Sequence, residues 1–179
     1  MSDCKEFLSD EMKTPIGTAI LVADENGALR MLFWEEHAEA WRKAFRRRHG
    51  AVAVVPRRDR FGHTAALKRY FEGEIAVLDT IPVAFAGTPF QKKVWSALRS
   101  IEAGTTVSYG TLARRIHEPT AARAVGLANG SNPIGVVVPC HRVIGSDGSL
   151  TGYGGGLPNK RWLLDFEHSQ LQLAFAGHR

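Results

Sequence analysis

Apolar positions along the first half of the chain recur at spacings that separate strands from helices. Thr18-Ala19-Ile20-Leu21-Val22-Ala23, introduced by Thr14-Pro15-Ile16-Gly17, predicts a strand. Asp24-Glu25-Asn26-Gly27 reads as a turn, because Asn-Gly is a strong hairpin signal, and 28–34 reads as the return strand. From Glu35 to His49, Ala38, Trp41, Ala44 and Phe45 fall three and four apart, which predicts a helix. Arg46-Arg47-Arg48 suits its C-terminal end, and Gly50 stops it. Residues 51–56 read as a strand, 63–71 as a short helix ending near Gly73, and 75–83 as an extended segment.

Phe85-Ala86-Gly87 reads as a linker, giving one domain over 1–84 and another over 88–179. Thr88 caps a helix whose first residue is Pro89; Phe90, Val94, Ala97, Leu98 and Ile101 line one face and Gly104 ends it. Ser108 caps a helix through Tyr109, Leu112, Ala113 and Ile116, and His117-Glu118-Pro119 breaks it. Thr120 caps a second helix, 121–129, closed by Gly130. Two short helices with a brief break fit a helix-turn-helix, and equally an ordinary helical hairpin. Residues 160–167 read as a last helix, with Trp162, Leu163 and Phe166 apolar. The pattern predicts an α/β first domain and a mainly α second domain.

The chain has 179 residues, 44% of them hydrophobic, enough for a sizeable core. It has no apolar run of membrane-spanning length, and its first residues lack the pattern of a signal peptide, so a soluble, cytoplasmic protein is expected. Its two cysteines form no disulfide framework. Cys4 and histidines such as His37 show no ligand-like spacing, so no metal is expected, and nothing calls for a cofactor, a membrane or an obligate protein partner. The net charge of +5 is uneven: residues 1–87 hold 13 Lys and Arg against 13 acids, residues 88–179 hold 10 against 5. A basic second half points to a polyanionic substrate.

The candidate chemistry lies at Pro139-Cys140-His141-Arg142-Val143, after an apolar run, 134–138, that reads as a buried strand. A cysteine delivered by such a strand, with a histidine beside it, is a candidate thiolate nucleophile. Adjacent side chains in extended backbone point opposite ways, so contact between Cys140 and His141 needs a turn or an intervening water. Glu167 is a carboxylate able to orient the imidazole. Upstream, the second short helix offers Arg123 and Asn129 among alanines and Gly126, a face smooth enough for close approach and equally suited to internal packing. Asn132-Pro133 favours a turn braced by the amide. Tyr153-Gly154-Gly155-Gly156 is either a flexible hairpin or a backbone surface for a flat ligand.

Together, Val107-Ser108-Tyr109-Gly110, Ala121-Ala122-Arg123-Ala124-Val125-Gly126, Asn132-Pro133, Val138-Pro139-Cys140-His141-Arg142-Val143 and Tyr153-Gly154-Gly155-Gly156 resemble, in order, the O6-alkylguanine-DNA alkyltransferases, also called methylated-DNA–protein-cysteine methyltransferases. The resemblance implies a first domain like ribonuclease H. It implies a helix-turn-helix that enters the minor groove of double-stranded DNA carrying alkylated bases, and flips the damaged base. It further implies that Cys140 takes the alkyl group irreversibly from O6-alkylguanine, or O4-alkylthymine, in one turnover. His141, oriented by Glu167, would take the thiol proton through water, and Asn132 would brace the turn. Arg123 would fill the gap in the stack, with Ala121, Ala122 and Gly126 beside it. Tyr109, Val143 and the Tyr153-Gly154 backbone would meet the flipped base. Gly154 stands where some members carry a serine, which a backbone role tolerates. A damage-binding module without transfer is disfavoured by Cys140, a sequence-reading regulator by the alanine-rich helix, and a cysteine hydrolase by the DNA-like elements it leaves unexplained.

Overall fold

Backbone pairing, rather than apolar alternation, fixes the first strand. The computed structural model describes residues 6–176, so Cys4 lies outside the described residues. It divides into two compact units, Met1–Gly87 and Thr88–Arg179.

In the first unit, β1 (Glu6–Thr14), β2 (Gly17–Asp24) and β3 (Leu29–Trp34) run antiparallel, and β4 (Ala53–Pro56) lies parallel to β1 at the edge, giving the order β3-β2-β1-β4. β1 went unread in the sequence because only Phe7 and Leu8 are buried in it; ladders on both sides hold the rest. Pro15-Ile16 is thus the turn of a first hairpin, closed by Thr14, whose hydroxyl donates to Gly17 O at 2.7 Å. The second hairpin matches its Asn-Gly signal. Asp24 accepts from the amides of Asn26 and Ala28, both at 3.0 Å, and Gly27 takes a φ of +85°. A Cβ at Gly27 would come within 3.0 Å of the Phe61 ring, so only glycine suits both the backbone and the space.

One sheet face packs on helix α1 (Ala38–His49), which follows a 3-10 turn at Glu35–His37. Phe7, Val22, Met31, Phe33, Ala38 and Phe45 form this core. Helix α2 (His63–Phe71) buries Ala66, Leu67 and Tyr70. The expected extended segment after it is instead a 3-10 helix, Ile75–Thr80. Its buried residues, Val77, Leu78 and Ile81, fall at i, i+1 and i+4, a helical rather than an alternating spacing.

The second unit opens with α3 (Pro89–Leu98), whose capping box joins Thr88 and Gln91. It stops at Leu98, six residues before Gly104. Gly104, at φ +71°, leaves room for Leu171, with which a Cβ there would collide. Helices α4 (Tyr109–Arg115) and α5 (Ala122–Gly130) follow the two-residue strand β5 (Val107–Ser108). Ser108 caps α4 as expected, but Thr120 does not cap α5: Ala121 holds that position without a side-chain bond. Trp95 ties α3 to α5 by donating to Ala128 O at 2.8 Å. Strand β6 (Val143–Ile144) pairs in parallel with β5, and α6 (Leu157–Ala176) runs well past the predicted end at Glu167.

Candidate active site

The apolar run 134–138 is not a strand. It is a knot of turns: Val137 N bonds Gly135 O, Val138 N bonds Ile134 O, and Val136 has a φ of +66°. That conformation is strained for a β-branched residue and persists only where its surroundings impose it. The Asn132 amide does so. It donates to Val138 O at 2.8 Å and accepts from Ile134 N at 3.0 Å, replacing the partners a sheet would have given. Burial of Ile134, Val136, Val137 and Val138 on every side explains the run of apolar residues equally well.

The knot delivers Cys140 into a 3-10 turn, Cys140–Arg142, rather than off a strand. Cys140 is buried, which pushes its thiol above the ordinary range. The Asn132 side chain, the Lys160 charge and backbone N–H groups oppose that shift without cancelling it, so the resting group at neutral pH is the thiol. Asn129 donates to Cys140 O at 3.4 Å. It points inward from α5, not along the outer face on which the sequence suggested it might read DNA.

The turn sends His141 and Arg142 inward to Glu167 of α6. His141 Nε2 lies 3.0 Å from Glu167 Oε1, and both side chains are fully buried. Arg142 donates twice to the same carboxylate, at 2.9 and 2.7 Å, and once to Ile101 O at 2.6 Å. Burial opposes the charge of Glu167, but the His141 ring and the Arg142 guanidinium outweigh it and hold the carboxyl far below its usual range. Burial lowers His141 despite the pull of Glu167. A neutral ring whose Nε2–H faces the carboxylate keeps its free lone pair on Nδ1, which has no hydrogen-bond partner in the protein.

Lys160 is also buried. Its Nζ donates to Val143 O at 2.6 Å and to Thr151 O at 2.8 Å, joining the cysteine turn to the glycine-rich loop. Thr151 in turn donates its hydroxyl to Tyr109 Oη at 3.1 Å. The Tyr109 ring lies against Gly126 of α5. Tyr153 sits edge-on to His141, with ring centroids 6.5 Å apart. The fold therefore gathers Cys140, His141, Glu167, Asn132, Val143 and Tyr153, and links Tyr109 and Gly126 to them. Gly154 is exposed on the loop. Ala121, Ala122 and Arg123 stand apart at the start of α5, with Arg123 exposed.

Sequence reasoning missed Arg142 and Lys160. A signal existed for Lys160: with Leu163 and Glu167 it falls at i, i+3 and i+7, one helical face, and all three are buried. Among the described residues no group of His, Cys, Asp and Glu is suited to a metal ion, and no helix is long and apolar enough to cross a membrane.

The family described as 6-O-methylguanine DNA methyltransferase, DNA binding domain, matches residues 89–169. A methylated-DNA–protein-cysteine methyltransferase of Salmonella typhimurium is 46% identical over 163 residues, covering 90% of this chain and 95% of that protein. A protein of the same name from Methanosarcina mazei is 41% identical, covering 90% and 97%. The crystal structure of Mycobacterium tuberculosis OGT in complex with DNA superposes with a TM-score of 0.76 at 40% identity, covering 92% of this chain and 94% of that one.

Proposed function

The chain belongs to the 6-O-methylguanine DNA methyltransferase family, DNA-repair proteins that move an alkyl group from DNA to a cysteine of their own, and from that premise we propose that Cys140 is the acceptor. The carrying observation is the buried Cys140 turn, braced by Asn132 and set beside a neutral His141 held by Glu167.

The substrate is O6-alkylguanine in double-stranded DNA, with O4-alkylthymine a second lesion of like chemistry. The thiol proton passes through a water to His141 Nδ1. The Cys140 sulfur then attacks the alkyl carbon: a C–S bond forms, the C–O6 bond breaks, and guanine leaves as an anion that takes up one proton. The thioether has no good leaving group, so each chain acts once. Repaired lesion per protein therefore plateaus at one, and a plateau well above one would contradict the suicide reaction.

Helices α4 and α5 act as a helix-turn-helix in the minor groove, a reading supported by the exposed Arg123 and the small residues Ala121, Ala122 and Gly126 around it. The damaged nucleotide is flipped, at a cost of a few kcal/mol, and Arg123 fills the vacated stack. Cys140 O and Val143 O accept from the guanine amine; Lys160 uses one lone pair of Val143 O and leaves the other. Backbone N–H of Tyr153 and Gly154 meets O6, and Tyr109 lies along the nucleotide. In the first unit, three antiparallel strands with a parallel fourth support the ribonuclease-H-like arrangement. We take 1–84 and 88–179 as the two domains, and place the protein in the cytoplasm, where the acceptor stays reduced.

Arg123→Ala slows repair in duplex DNA about 10–100-fold, because stabilisation of the flipped state is lost, while attack on the free modified base is spared. Single-turnover rates on both substrates check this, and equal losses would remove the stack-filling role.

The pH dependence follows from His141. Its lowered pKa keeps the base neutral through the physiological range, so transfer falls only on acidification below the ordinary imidazole value of about 6.5. His141→Gln lowers the rate at neutral pH about 10²–10⁴-fold. The variant then gains rate with rising pH, through and beyond the ordinary thiol range, as Cys140 ionises unaided. A variant as fast as the parent at pH 7 would dismiss His141 as the base.

A further inference from the structure

The balanced charge of the first unit conceals a segregation. Positions 42 to 60 hold eight Lys and Arg and a single acid, Asp59. Arg42, Lys43, Arg46 and Arg47 lie exposed on α1, and Arg57, Arg58 and Arg60 lie exposed directly after β4. Other cations of the unit have acidic neighbours: Arg30 pairs with Asp24, Lys68 with Glu72 and Arg69 with Glu74. None of these seven has a carboxylate within ion-pairing distance among the described residues.

Two local causes account for part of the cluster. The C-terminal dipole of α1 favours cations in its last turn. Charges beside the edge strand β4 discourage pairing with another sheet. Neither explains seven exposed, unpaired cations. Such crowding is unfavourable in the free protein: Arg48, among them, is pushed down by burial and by the charge of Arg47. A polyanion relieves that repulsion.

We propose that this basic surface of the first unit is a second contact for the phosphate backbone of the duplex held by the second unit. The inference rests on the DNA-repair reading above. Six of the seven cations are arginines, whose planar forks match phosphate oxygens. The first unit is covalently joined to the DNA-binding unit, so its cations meet flanking phosphates at an effective concentration on the order of millimolar. Weak individual interactions then add to the affinity. Phosphate recognition carries no sequence preference, which suits a protein that must act wherever a lesion falls.

The test is the full-length triple variant Arg46→Gln, Arg47→Gln, Arg58→Gln, three exposed positions. Its dissociation constant for an undamaged duplex is measured across a salt series beside that of the parent. Each phosphate that the protein no longer neutralises lowers the log–log salt slope by about 0.9, so a decrease of about 1–3 is expected. At ~0.1 M salt the affinity falls about tenfold or more. An unchanged slope and affinity overturn the proposal. Loss of binding to phosphatidylserine vesicles with an unchanged DNA slope overturns it in favour of a membrane surface. Aggregation of the variant with an unchanged slope reduces the cluster to an edge guard and overturns it as well. Alkylation of Cys140 by free O6-benzylguanine is read in parallel: its failure in the parent chain strikes the proposed function, not this surface.

Discussion

Replacing Cys140 with serine abolishes alkyl transfer and leaves duplex DNA binding in place. The thiol is weakly acidic and its thiolate strongly nucleophilic; a serine hydroxyl is neither, and a neutral imidazole cannot ionise it to a useful degree. The fold has little reason to change. Serine is smaller by a fraction of a methyl group, and the Asn132 amide that interacts with the thiol can serve a hydroxyl. The substitution costs about 1 kcal/mol or less. No long polar side chain for DNA is removed, since Arg123 and the outer face of α5 are untouched. Single-turnover repair of a duplex containing O6-methylguanine, with a binding titration on the same duplex, checks both halves. Residual transfer in the serine variant would mean that another group accepts the alkyl. Loss of binding with loss of transfer would mean that the cysteine turn shapes the DNA face as well.

Glu167→Ala is expected to be the most destabilising single change in the second unit. Glu167 is fully buried and carries the hydrogen bonds of both His141 and Arg142. Without it, the Arg142 guanidinium remains buried with Ile101 O as its named partner. Breaking a buried pair in this way costs about 3–5 kcal/mol, a large share of the roughly 5–15 kcal/mol by which domains are stable. Transfer slows too, because His141 loses the group that sets its tautomer and direction.

The pH dependence of stability has the same origin. A carboxylate whose folded pKa is depressed contributes stability that is complete above its unfolded value, about 4.3, and that is lost as pH falls toward the folded value. His141 acts in the same direction, since burial favours its neutral form and acid must charge it. The parent therefore loses stability steeply on acidification, beginning below about pH 6.5. Glu167→Gln, which keeps an acceptor oxygen but no charge, loses less over the range below about pH 4.3. Denaturant unfolding at neutral pH and in acid measures both effects. A change under about 1 kcal/mol for Glu167→Ala at pH 7 would show that the buried trio contributes little.

How legible a feature is in the sequence depends on whether it is local. The Asn-Gly hairpin, the Thr88 and Ser108 caps and the Cys-His motif each rest on a few adjacent residues, and each stands where its signal put it. β1 was illegible because its pairing partners, not its own apolar spacing, define it. Residues 134–138 were misread because five consecutive apolar residues carry no period; what decides between strand and turns is the Asn132 amide, which replaces a ladder. Arg142 and Lys160 are charged residues in the core, tolerable only because distant groups meet them: Glu167 and Ile101 for one, Val143 and Thr151 for the other. Both partner sets come from chain segments brought together by folding, so composition and spacing alone are poor guides to them.

If this chain removes an alkyl group from DNA by keeping it on Cys140, the protein itself carries the record of the reaction. The decisive experiment is the intact mass of the protein after incubation with a duplex carrying one O6-methylguanine, followed by peptide mapping. The expected outcome is the mass of one added methyl group per chain, stoichiometric with repaired DNA and located on Cys140. An unchanged mass with lesion-selective binding, or a methyl group on any other residue, would contradict it.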